Sequence, residues 1–81
     1  MLAYGYTKDS DAERPNELSE TTLLCTKEEL DNVICFLKSI QKTCQEYDSV
    51  AGLHMHFRDF DRRWESKQSD IIICLTDEKK P

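Results

Sequence analysis

Residues 26–48, "TKEELDNVICFLKSIQKTCQEYD", are the stretch that most restricts how this chain can fold. Thr26 stands where an N-cap belongs and Glu29 follows three residues later, the spacing at which each side chain satisfies the other residue's unpaired backbone N–H. Glu28, Glu29 and Asp31 place negative charge at the positive end of the helix dipole. At 100° per residue Leu30, Val33, Ile34, Leu37, Ile40 and Cys44 share one stripe, with Tyr47 at its margin. A helix with one apolar stripe needs a second layer to cover it, so the rest of the chain must supply strands or further helices. Cys35 falls on the opposite arc, beside Glu28, Asp31, Lys42 and Glu46, and is expected to be the exposed thiol of the four.

The flanking segments have a period of two. "LAYGY" and "ELSETTLLCT" read as strands joined by the polar, proline-containing "TKDSDAERPN", an antiparallel hairpin with a loose loop. "SVAG" turns the chain after the helix. Beyond it Leu53, Met55 and Phe57 alternate with His54, His56 and Arg58, a strand with its apolar members inward and both imidazoles outward. After the polar connection "RDFDRRWESKQS", the strand "DIIICLT" is apolar on both faces, Ile71, Ile73 and Leu75 on one and Ile72 and Cys74 on the other. The pattern predicts an α+β fold, ββαββ, in which one amphipathic helix packs on one face of a four-stranded sheet. The second face, carrying Ile72 and part of Leu18 and Leu24, would lack a cover, and a homodimer or another protein would remove it from water.

A chain of 81 residues makes one small domain, expected over 1–76 with 77–81 as a disordered charged tail. Its 11 basic and 16 acidic residues give a net charge of -5, which opposes binding to nucleic acid and to anionic membranes. Residues 1–26 carry two basic and five acidic groups, residues 27–50 three and five, and residues 51–81 six of each, so the acidity belongs to the first two thirds of the chain. A basic partner would be drawn there. The first ten residues lack the basic leader and apolar run of a signal peptide, and the expected location is cytoplasmic. Cys25, Cys35, Cys44 and Cys74 form no C-x-x-C pair, which argues against a zinc ribbon or a redox motif and for free thiols.

Three clusters carry chemistry-bearing side chains. His54 and His56, at i and i+2 on a strand, lie ~7 Å apart at Cα and can converge on one ion, but a zinc site needs a third and usually a fourth ligand, and the favoured reading is two solvated histidines or histidines hydrogen-bonded to acidic groups on an adjacent strand. Arg58, Asp59 and Asp61, with Arg62, Arg63 and Glu65, surround Phe60 and Trp64 in a charged loop of a kind that recognises proteins. Trp64 reads first as packing over a sheet edge and second as a binding anchor. No G-x-S-x-G or phosphate-cradling glycine loop occurs, and no catalytic residue or cofactor is assigned. The expected binding residues are His54, His56, Arg58, Asp59, Asp61, Trp64 and Ile72. The alternatives are a small metal-binding protein using His54 and His56 and, third, a hydrolase or isomerase using one of them as a base.

The succession "LSETTLL", "KEELDNVICFL", "HMHFRDFDRRW" and "SDIIIC" resembles the immunity protein 32 family of polymorphic toxin systems, over residues 4–74. His54, His56, Phe57, Asp59 and Trp64 in their spacing carry the resemblance, with Met55 where the family often has a polar residue. The resemblance implies a non-catalytic protein that binds and neutralises a cognate toxin, and an acidic chain of this kind would complement a basic nuclease domain.

Overall fold

The computed structural model describes residues 1–77. Its elements run β1 (Ala3–Gly5), β2 (Asn16–Leu18), α1 (Lys27–Cys44), β3 (His54–His56), α2 (Phe57–Phe60) and β4 (Ile72–Cys74). The fold is α+β, with two helices and two separate two-stranded antiparallel sheets, β1–β2 and β3–β4.

Helix α1 begins as its sequence requires. Thr26 is extended, its Oγ1 accepts from the Glu29 N–H at 3.1 Å, and Glu29 Oε1 accepts from the Thr26 N–H at 2.8 Å. The helix ends without glycine: the N–H groups of Gln45, Glu46 and Tyr47 bond the carbonyls three residues back, tightening the last turn.

The buried face of α1 is rotated from the expected stripe. Phe36, outside that stripe, is the most deeply buried side chain at 2 % exposure, followed by Ile40, with Val33 and Cys44 packed beside them. Leu30, Ile34, Leu37 and Tyr47 are exposed. The apolar residues of α1 span an arc wider than one short ribbon and one helical turn can cover, and the aromatic ring, with most surface to bury, takes the covered part. Phe36 meets the rings of Phe57 and Phe60 at centroid distances of 5.4 and 5.6 Å.

The β3–β4 ribbon closes this core. His54 pairs with Cys74, Met55 with Ile73 and His56 with Ile72. The Leu75 N–H to Leu53 carbonyl bond and the Phe57 N–H to Ile71 carbonyl bond, both 2.8 Å, continue the pairing at each end. Met55, Ile71, Ile73 and Leu75 pack on the cluster of Phe36, Ile40 and Phe57, as the alternation requires. Gly52 enters the ribbon at φ 82°, a conformation that disfavours any side chain.

The four-stranded sheet does not form. β2 ends at Leu18, and residues 19–26 run without a strand partner instead of joining the ribbon. Leu24, expected on a pleated face, is 99 % exposed. β1 and β2 pair only with each other, Ala3 opposite Leu18 and Gly5 opposite Asn16. The Lys8 ammonium reaches the Lys67 carbonyl from the hairpin loop. The strand read through Arg58 also stops early, because Phe57–Phe60 coil into α2. A further correction concerns the thiols: Cys25 and Cys74 are exposed as well as Cys35. Of the charged tail, Asp77 accepts hydrogen bonds from the Ser49 hydroxyl and the Val50 N–H, while 78–81 lie outside the described residues.

Candidate functional site: the histidine face of the ribbon

The outward face of the β3–β4 ribbon holds His54 and His56 on one strand and Ile72 and Cys74 opposite them. The imidazoles stand edge to face, with centroids 5.7 Å apart and planes at 71°. His54 is exposed and His56 is half-buried.

Asp70 organises this end of the ribbon. Its Oδ2 lies 2.7 Å from His56 Nδ1, and its Oδ1 accepts the N–H groups of Arg58 and Ile71, each at 2.9 Å. Arg58 is in the first turn of α2, whose own N-cap residue, His56, makes no capping bond with its side chain. Asp70 therefore caps α2 from twelve residues away.

The carboxylate is held in its charged form. Burial alone would raise its pKa, but the His56 hydrogen bond, the Arg58 N–H, the charge of His56 when protonated and the Ile71 N–H outweigh burial and hold it below the usual 3.8. An ionised carboxylate only accepts, so the proton of the short contact belongs to His56 Nδ1. Nε2 of the neutral ring is left as the free acceptor, the tautomer that suits metal ligation or proton transfer.

The remaining charged candidates separate. Arg58 Nε lies 3.8 Å from Asp70 Oδ2 and 4.0 Å from the exposed Asp59, distances at which pairs near water contribute little. Asp61 points the other way and shapes the loop: its Oδ1 accepts the Arg63 N–H at 3.1 Å and its carbonyl accepts the Trp64 N–H at 3.0 Å. Trp64 packs on the core and donates its indole N–H to the Ser69 carbonyl at 3.0 Å, the core-packing role rather than that of a protruding anchor. Ile72 stands 53 % exposed between the two sides of the face. The structure thus joins His56 and Arg58 at Asp70, with His54 against the His56 ring, Ile72 opposite His56 and Asp59 at the edge beside Arg58, and it leaves Asp61 and Trp64 to the loop.

The chain matches no family model, no curated protein and no solved structure. Its chemistry must be read from the side chains. Among the described residues no group of three or more His, Cys, Asp or Glu is placed to hold a metal ion. His54 and His56 would supply two ligands, and a stable transition-metal site would take the others from a second molecule. An open groove of about 590 Å³ lies on another side of the protein, between Leu24 and Cys25, Asn32 of α1, and Trp64 and Lys67 of the loop. Among the described residues no helix is long and apolar enough to cross a membrane.

Helix α2 escaped the sequence reading, and an acidic partner for a strand histidine was expected there without being identified as Asp70. The only signal for Asp70 was its place at the head of an aliphatic run, and nothing local linked it to His56, fourteen residues earlier.

Proposed function

We propose that the chain is a non-catalytic, cytoplasmic protein-binding module of the immunity type, which neutralises a toxin domain by covering it and also associates with a second copy of itself. The observation that carries this reading is the imbalance between core and surface. Among the described residues three hydrophobic side chains are buried, while thirteen large ones, from Leu24 and Ile72 to Tyr4 and Tyr6, are exposed. Docked partners remove such surface from water. The ribbon face, the 59–70 loop and the groove beside Leu24 offer the contact area, and the net charge of -5 favours a basic partner.

The test is to look for a toxin domain encoded by a gene adjoining this chain's own and to co-express the two, the lack of any such gene counting against the reading. The intact protein should restore growth and co-purify with the toxin at a fixed ratio, and Ile72→Asp or Leu24→Asp should weaken both. Absence of protection and of a complex would remove the reading. A second reading, a transition-metal site on His54 and His56, is favoured by the Asp70 bond that frees Nε2 of His56. Tag-free protein carrying a stoichiometric metal that His54→Ala abolishes would move it to first place.

A further inference from the structure

Helix α1 has a second apolar stripe that the chain does not use. Leu30, Ile34 and Leu37, spaced by four and three residues, are 49, 40 and 44 % exposed and stand outside the packed cluster around Phe36. That spacing is the seam of a helix that packs against another helix.

The charges beside the seam indicate which helix. Asp31 and Lys38, both exposed, lie on the same flank of the stripe, one heptad and ~10 Å apart along the axis. A parallel two-fold pair would turn the Asp31–Lys38 flanks of the two helices to opposite sides of the seam, where they do not meet. An antiparallel pair related by a two-fold axis sets the acid of each helix against the base of the other, twice, and opposes the two helix dipoles. The surface is complementary to itself.

We propose that α1 is the two-fold interface of a homodimer, the Leu30–Ile34–Leu37 stripes of two copies packing antiparallel with Asp31 of each meeting Lys38 of the other. Gln41, next along the seam, ends the apolar run and limits sliding of one helix along the other.

The inference rests on the self-association included in the proposed function, and it moves that contact from the ribbon to the helix. The experiment is sedimentation or light scattering of the full chain across a concentration series, on the wild type and three variants. The wild type should be a dimer. Ile34→Lys should be a monomer with unchanged helical circular dichroism, because the side chain is exposed. Asp31→Lys should weaken the dimer roughly tenfold by replacing two attractions with two repulsions, and Asp31→Lys with Lys38→Asp should restore it. A dimer that survives Ile34→Lys, or a double exchange as weak as the single one, overturns the helix interface and leaves self-association standing. A wild type that is monomeric at high micromolar concentration overturns both, while protection against a toxin would be unaffected.

Discussion

Replacing Asp70 separates two tasks that its carboxylate performs, and the geometry sets how much each is worth. Asp70→Ala removes the acceptor of the Arg58 and Ile71 N–H groups together with the partner of His56 Nδ1. A lost helix cap costs ~1 kcal/mol and a hydrogen bond to a charged acceptor ~1.5–3 kcal/mol, reduced here because water reaches the site, so a loss of about 2–3 kcal/mol is expected. For a domain of this size that corresponds to a melting temperature lower by roughly 10–20 °C. Asp70→Asn keeps an oxygen for both backbone donors and turns its amide toward His56, which can accept at Nδ1 in the other tautomer. Its cost should stay at or below ~1 kcal/mol at neutral pH.

The acid limb gives an independent reading of the same contact. A carboxylate whose folded pKa lies below its unfolded value stabilises the fold fully above the unfolded value, and the gain disappears as pH falls through the folded one. With Asp70 held below 3.8, the stability gap between wild type and Asp70→Asn should be present above the ordinary carboxylate range and should close as pH falls beneath it. Urea denaturation of the three proteins at a series of pH values measures both effects. The reasoning fails if Asn destabilises as much as Ala, or if the gap between wild type and Asn stays open at the acid end.

Three further substitutions probe the frame around this contact. Phe36→Ala should cost ~3–5 kcal/mol by opening a cavity against Phe57 and Phe60, a large share of the total stability of a chain this short, so loss of the near-ultraviolet circular dichroism signal at room temperature is the expected outcome. Thr26→Ala should cost ~1 kcal/mol, read as a lower urea midpoint with an unchanged slope, because it leaves the Glu29 N–H without its acceptor. Gly52→Ala meets no atom within 4 Å yet must hold φ at 82°, so it should lose ~1–2 kcal/mol through backbone strain alone, and an equally stable variant would show that the turn relaxes.

The parts of this fold that were legible in the sequence are those decided within a few residues. The capping box of α1 lies inside four positions, and the inward and outward sides of the ribbon follow from a two-residue period, so Thr26, Met55, Ile71 and Ile73 are where their neighbours place them. Arrangements decided by competition between distant segments were not legible. Leu23 and Leu24 look like strand residues, but a strand needs an edge to pair with, and the ribbon takes none from residues 19–26. The rotation of α1 has the same origin: its apolar arc admits more than one buried face, and the Phe57 and Phe60 rings on α2 select the one centred on Phe36.

The histidine face shows why a site can be half visible. Period two places His54 and His56 outward with no further information, and the structure agrees. It does not make them equivalent, because only His56 meets Asp70, and it does so since Phe57–Phe60 coil into a helix whose first N–H groups need an acceptor. The aspartate that caps the helix lies beside the imidazole at the strand's end and fixes its proton on Nδ1. One backbone requirement thereby distinguishes two histidines that the pattern treats alike: His54 is exposed and rests against its neighbour's ring, and His56, held by Asp70, presents a fixed Nε2 to whatever covers the ribbon. If that face is where a partner docks, His56→Gln should weaken the complex more than His54→Gln, and equal losses would show that the fixed ring contributes nothing to recognition.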